Sequence, residues 1–397
     1  MRLSRMSTGI TKSPTFAVEA KAAAMRAQGI DVIPFGAGEP DFDTPEHIRE
    51  EAKASIDSGH TRYTPTAGTA ELRQAIADSI LARHGLAYKP SNIIVSCGAK
   101  HSLFNAFLAL VDPGDEVIVP APYWVSYPDQ VRIAGGTPVI VDTSSTGFKL
   151  TAEVLEAAIT PHTRVLILNS PSNPTGASYT RAELEAIADV VVRHDLVVIS
   201  DEIYDRLLYT GEDYVSIAAL GGEVRERTLI VNGVSKTYAM TGWRIGWAAG
   251  NAELVDAMNR IQSHSTSNPC SVSQRAALAA LRGPDEPVQA MVDAFRERGE
   301  RMWERLNRIP YVSCPKPTGA FYCFPNVGRY VGIEFEGRLI ESSYHLADVI
   351  LEHAHVAVVA GAAFGCDGFI RLSYATSIDR IEDGMDRIER LFATMLK

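Results

Sequence analysis

Within Val231 to Trp247, V-N-G-V-S-K-T-Y-A-M-T-G-W-R-I-G-W, Lys236 and Arg244 are the only charged residues, eight positions apart. The rest of the run is small, aromatic or apolar, so a cation placed there loses hydration unless a partner or a bond replaces it. Desolvation favours a neutral amine, which makes Lys236 a candidate nucleophile or base. Arg244 keeps its charge and suits an anion.

Other residues supply partners for such chemistry. Asp201 ends the apolar run L-V-V-I-S, and a buried carboxylate needs either a charge-assisted partner, such as a protonated ring nitrogen, or a plain helix-capping role. Tyr204, three residues on, shares one side of a helical turn with it and can donate to the same ligand. The segment N-S-P-S-N-P-T-G at 169–176 is a proline-fixed turn that aims the Asn173 amide, although Asn-Pro pairs also serve as simple turns. In S-C-G-A-K at 96–100, Gly98, Ala99 and Lys100 open a helix, where free amides bind phosphate; the alternative is an ordinary strand-to-helix turn. Trp124 can stack on a planar ring or serve as core. Arg371, heading the run R-L-S-Y-A-T, offers a planar fork for a carboxylate or an ordinary ion pair. Tyr63 lies in the turn-rich T-R-Y-T-P-T-A-G.

The elements that must position these groups are legible. Short runs rich in Val and Ile at 93–96, 116–119, 138–141, 165–168, 196–200 and 228–231 suit parallel strands covered on both faces. Helical patterns alternate with them at 99–110, 125–134, 151–159 and 181–193, the last two opening on Thr151 and Thr180 as N-caps. That alternation predicts a doubly wound α/β domain, whose ligands gather beyond the carboxyl ends of the strands. Four of the runs deliver the motifs above there, so one pocket can hold them all. Past Pro284 a long charged helix from 287 to 306, short strands and a final helix from Ile378 predict a smaller α+β layer. The expected division is 1–45 as a segment packing with the small domain, 46–284 as the large domain and 285–397 as the small one.

Composition narrows the function. At 46% hydrophobic and 22% charged the chain reads as globular, and its net charge of -10 argues against nucleic acid while leaving room for a local anion pocket. The five scattered cysteines form no C-x-x-C pair, so neither a metal site nor a disulfide framework is expected, and buried reduced thiols are. No secretory leader or membrane span is evident, which predicts a cytoplasmic protein. G-A-G-E-P-D at 36–41 lacks a dinucleotide fingerprint's third glycine, S-K-T at 235–237 lacks P-loop spacing, and no G-x-S-x-G elbow occurs.

In order along the chain, G-A-G-E-P-D-F-D-T-P, Y-T-P-T-A-G, S-P-S-N-P-T-G, D-E-I-Y, S-K-T-Y-A-M-T-G-W-R-I-G and R-L-S-Y-A-T resemble the fold-type I pyridoxal-phosphate enzymes, specifically the class I/II aminotransferases. The resemblance covers the chain from about residue 10 onward and is most like the prokaryotic aspartate and aspartate/prephenate subgroup. It implies the fold type I architecture, with a large, mostly parallel sheet of the seven-stranded type and a smaller α+β domain. It implies pyridoxal 5'-phosphate as cofactor, carried by Lys236, with Asp201 holding the ring nitrogen protonated and Asn173 and Tyr204 on the phenolic oxygen. Ser235, Arg244 and the amides of Gly98, Ala99 and Lys100 would take the phosphate, and Trp124 would stack on the ring. Tyr63 would reach the phosphate of a neighbouring subunit, which implies a homodimer with shared active sites.

Arg371, with the Gly38 backbone and beside Trp124 and Asn173, would clamp the substrate α-carboxylate. Lys100 would meet a distal carboxylate, and Lys12 matches a lysine linked in the subgroup to prephenate; a solvated terminal charge is the alternative for Lys12. The implied activity is ping-pong amino transfer from an L-amino acid, aspartate or glutamate, to 2-oxoglutarate, oxaloacetate or prephenate. Ala99 and V-V-A-G at 358–361 depart from the frequent Gly and V-V-P-G, which bears on specificity more than on chemistry. Rival readings are a lyase, a decarboxylase or an aromatic- or alanine-type aminotransferase on the same fold, or a cofactor-sensing regulator, which would call for a basic helix-turn-helix that this chain lacks.

Overall fold

The structure, a computed structural model, describes residues 1–10 and 14–396. Among these residues seven strands form the main sheet: β1 (Ile93–Ser96), β2 (Glu116–Ala121), β3 (Thr137–Asp142), β4 (Thr163–Asn169), β5 (Val197–Asp201), β6 (Thr228–Gly233) and β7 (Gly246–Ala249), in the order β1-β7-β6-β5-β4-β2-β3. Every neighbouring pair is parallel except those made by β7, which runs antiparallel to both β6 and β1. Six of the strands fall on the apolar runs. The seventh is G-W-A-A, too short and too poor in branched residues to signal a strand.

Both faces of the sheet are covered, and the side chains divide with the two-residue strand period. Val117, Val119, Val165, Ile167, Ile199 and Val231 pack with Leu103 and Phe107 of the helix Ala99–Leu110. Ile118, Leu166, Leu168 and Val198 pack instead with Leu184, Ile187 and Val191 of the helix Arg181–Arg193. β3 departs from the expected full burial: as an edge strand it leaves Ile140 43% exposed. The predicted caps form. Thr180 and Glu183 make a reciprocal capping box, and the Thr151 hydroxyl accepts from the Val154 amide.

The remaining strands are short. β8 (Tyr322–Cys323), β11 (Val359–Ala360) and β12 (Ile370–Ser373) form an antiparallel sheet ordered β11-β12-β8, while β9 (Glu334–Phe335) and β10 (Arg338–Leu339) pair as a hairpin. Residues before Asp43 bind this region: Ile33 bridges Val356, and the Ser373 amide donates to the Phe35 carbonyl at 2.7 Å.

The sheet aligns the site through its register. Asn169 faces Asp201, Asp201 faces Val231, and Gly246 faces both Gly233 and Ser96. Gly246 is a glycine because a Cβ there would lie 2.1 Å from the Ala99 nitrogen and 2.5 Å from the Gly98 carbon, both backbone atoms. Gly246→Ala should therefore lower the urea unfolding free energy by about 2 kcal/mol or more through overpacking. It should also shift the turn at Gly98; a variant as stable as the parent would show that this contact yields.

Candidate active site

The loop between β6 and β7 presents half-buried Lys236 to a cleft. Its Nζ donates to the Gly38 carbonyl at 2.6 Å and stands 5.8 Å from the Phe321 ring centroid. Burial pulls its pKa down to about 8; Glu39 and Asp201 oppose the fall, and Arg371 and Arg244 add to it. Asp201, 5% exposed at the end of β5, accepts from the Tyr127 hydroxyl at 2.6 Å and the Ile203 amide at 3.3 Å. Burial pushes its carboxyl up to about 6 against those two donors and Lys236.

Arg371 is the more demanding cation, at 2% exposure on β12. One terminal nitrogen donates to Asn173 Oδ1 at 3.0 Å and the other to the Gly36 carbonyl at 2.8 Å. Its guanidinium lies 4.4 Å from the Tyr322 ring centroid and 5.2 Å from that of Phe364. Nε is buried without a partner, and among the described residues no carboxylate pairs with this side chain. Burial holds its pKa below the usual guanidinium value.

The turn before the helix Ala99–Leu110 differs from expectation in one respect. The Gly98 amide is already spent on the Ser96 carbonyl at 2.7 Å, so the open amides of the first turn are those of Ala99 and Lys100. Gly98 has φ +86, and a Cβ on it would lie 2.5 Å from an Arg244 terminal nitrogen. Arg244, left-handed at φ 57, donates to the Thr241 carbonyl at 2.7 Å and has no carboxylate partner among the described residues. Lys100 Nζ stands 4.7 Å from the Trp124 ring centroid, and burial, aided by Arg244, lowers its pKa.

Tyr204 is buried with its hydroxyl 2.9 Å from that of Tyr322, and Ser235 is buried beside Lys236. Tyr63 stands apart, 93% exposed, and Lys12 lies outside the described residues. Sequence reading missed Tyr127, Tyr322 and Phe364, whose roles depend on contacts from distant segments. For Tyr127 one signal existed, its place three residues after Trp124. Of the cysteines, Cys314, Cys323 and Cys366 are buried as expected, whereas Cys97 is half-buried and Cys270 is exposed because it precedes a surface helix. Among the described residues no cluster of three metal-ligating side chains occurs, and no helix is long and apolar enough to cross a membrane.

The fold is a doubly wound α/β sheet with a lysine, two arginines and a buried carboxylate gathered at its strand ends, an arrangement suited to an anionic ligand. A family model described as aminotransferase class I and II matches residues 30–388, so the chain belongs to that family. The aspartate aminotransferase of Bacillus subtilis is 47% identical over 98% of each chain. The aspartate/prephenate aminotransferase of Cereibacter sphaeroides is 49% identical over 97% of each. Among solved structures, the aspartate aminotransferase of Rhizobium meliloti superposes with a TM-score of 0.95 at 44% identity over 99% of each chain. That of Thermus thermophilus with maleate superposes at 0.92 and 43% identity, covering 98% of this chain and all of the other. The chain is thus a pyridoxal-phosphate-dependent enzyme that moves an amino group between amino acids and 2-oxo acids.

The residues present fit that cofactor. A buried carboxylate with raised pKa faces the cleft, an unpaired arginine stands against a glycine with no room for a Cβ, and two open amides lie beside it. Just past β5, Glu202 is pushed up by burial to about 7, although Ser200 and Ser216 hydroxyls donate to it. A raised carboxyl pKa means that the folded state holds its proton more tightly than the unfolded chain. The stability it contributes is present below the unfolded pKa and is lost as pH rises through the folded one. Cofactor-free protein should therefore lose up to about 3 kcal/mol from Asp201 between roughly pH 4 and 6. Thermal melts at pH 5 and 7 should show a smaller acid-side advantage for Asp201→Asn than for the parent; equal pH dependence would count against a raised Asp201.

Proposed function

We propose that the chain transfers the amino group of L-aspartate or L-glutamate to 2-oxoglutarate or oxaloacetate. The observation that carries this reading is Arg371, a buried guanidinium with an unpartnered Nε and no carboxylate of its own, which a substrate α-carboxylate would complete. Lys100 over Trp124 is a second cation at the cleft, suited to a distal carboxylate. The Thermus thermophilus relative described above was solved with maleate, a dicarboxylate.

In this reading Lys236 would carry the cofactor and Asp201, fixed by Tyr127, would keep its ring nitrogen protonated. Ser235, Arg244 and the amides of Ala99 and Lys100 would hold its phosphate, Trp124 would cover its ring, and Asn173 Nδ2 and Tyr204 would meet its phenolic oxygen. Bound there, pyridoxal 5'-phosphate supplies a carbonyl that captures amino groups and a protonated ring that accepts electrons. Lys236 Nζ would be the base that takes the proton from substrate Cα; a pKa near 8 leaves part of it neutral at physiological pH. Arg371 and the Gly38 backbone fix the α-carboxylate, so that the Cα proton faces that amine.

The same proposal takes the chain as a cytoplasmic homodimer in which exposed Tyr63 completes the neighbour's phosphate site. Unpaired cysteines and the solvent-facing tyrosine support it. It divides the chain into a cofactor-holding part, 46–284, and a smaller part formed by 1–45 with 285–397, supported by the separate sheet and the Ile33–Val356 bridge.

Purified protein given L-aspartate and 2-oxoglutarate should form glutamate; none formed, with carbon dioxide or ammonia released instead, would overturn the reading. Prephenate belongs in the acceptor panel, since Lys12 is matched to it by resemblance. Lys100→Met should raise KM for dicarboxylates about tenfold, the loss of one charged hydrogen bond, while barely changing that for alanine. Lys236→Ala should hold no borohydride-fixed cofactor. In the parent the rate of covalent capture by cofactor-free protein should reach half its maximum near pH 8; a midpoint near that of a free lysine would contradict the desolvated amine.

A further inference from the structure

Residues 61–69 cross the surface without regular structure, yet the backbone behind Tyr63 is docked at every turn. The Val95 amide of β1 donates to the Ala67 carbonyl at 3.0 Å, and Gly68, at φ +95, packs so closely that a Cβ would lie 2.7 Å from Val95 Cγ2. Two glutamines from different helices close the rest. Gln274, 1% exposed on the helix Ser271–Arg282, accepts from the Thr69 amide at 2.9 Å. Its Nε2 donates to Thr64 Oγ1 and to the Pro269 carbonyl, each at 2.9 Å.

Gln262, fully buried on the helix Ala252–Ser263, donates through Nε2 to the Thr66 and Val95 carbonyls, both at 2.8 Å. Its Oε1 accepts from Ser96 Oγ at 2.7 Å and Asn105 Nδ2 at 3.0 Å. A leucine or methionine would fill either space without a buried amide, so filling volume does not account for these residues; holding backbone does. Gln262 also joins, on one amide, the Tyr63 loop to the last residue of β1, two positions before Gly98.

We propose that Gln262 and Gln274 are positioning residues that hold the Tyr63 loop in the shape needed by the partner subunit's cofactor site, with Gln262 tying that loop to the chain's own cofactor turn. This rests on the shared-site dimer reading above. The two glutamines act across the interface, on the neighbour's site.

Hybrid dimers test the direction of the effect. In the first, one chain carries Gln274→Met with Lys236→Ala and the other is unaltered, so the single borohydride-reducible site is served by the loosened loop. In the second, Gln274→Met and Lys236→Ala are on opposite chains, so the reducible site is served by an intact loop. The cofactor concentration that half-fills the reducible site should be about tenfold higher in the first hybrid than in the second, as expected for one lost charged contact. Equal values, or a loss that follows the chain bearing Gln274→Met, overturn the proposal.

Thr64→Val, which removes one hydroxyl and leaves both glutamines in place, should shift the first arrangement in the same direction by less. It covers the case in which Gln274→Met does not fold. Tyr63→Phe in the first arrangement separates the two ideas. If it has no effect while Gln274→Met weakens binding, the Tyr63 reading fails and the glutamines act through another residue of the loop; if Tyr63→Phe weakens binding and Gln274→Met and Thr64→Val do not, the glutamine proposal fails.

Discussion

Four cations crowd one cleft, and the packing around them answers to that crowding. Lys100, Lys236, Arg244 and Arg371 gather there near Asp201 and Glu39, in a chain whose net charge is -10; Arg371 is buried and Lys236 half-buried, while Lys100 and Arg244 stay open to water. Desolvating cations without matched anions costs free energy, and the deficit is met locally in different ways. Lys236 sheds part of its charge, and Arg371 rests on two aromatic faces and two acceptors, while exposed Arg244 keeps water as well as its own loop carbonyl. What stays unmatched is an affinity for dianionic phosphate and for carboxylates, which the local cluster of cations attracts although the chain as a whole is acidic.

Holding those groups in place falls to the sheet. Asp201 ends β5 and Glu202 follows it, one carboxylate bonded to Tyr127 and the Ile203 amide, the other to Ser200 and Ser216. A strand end so held cannot rotate without unpairing one of them, so Glu202 and its serines support the orientation that Tyr127 gives Asp201. The same logic applies to Arg371, whose bond to Asn173 links β12 to the turn after β4 and joins the two sheets at the site.

Much of this was legible in the residues. Branched runs revealed six strands, five of them because burial leaves little polar interruption and the edge strand β3 by its branched residues alone, and Thr180 with Glu183 announced a helix start because capping is local chemistry. Lys236 and Asp201 stood out as charges in apolar settings. Tyr127, Tyr322, Gln262 and Gln274 did not, since each acts through partners far away in sequence, and nothing in periodicity distinguishes a buried tyrosine that donates to a carboxylate from one that merely packs. The Gly98 amide failed differently: its type and place were right, but a bond to Ser96 had already claimed it.

Gly233 and Gly246 face each other on one rung of the ladder. The stretch that bears Lys236 and Arg244 therefore leaves the sheet and returns to it at the same level. Between those two glycines Val234, Tyr238, Met240 and Ile245 are sunk in the core, so the excursion is pinned at both its ends and its middle. Lys236 and Arg244 therefore ride on one anchored loop, and a change at any of its four apolar anchors would move both cations together while the seven strands keep their alignment.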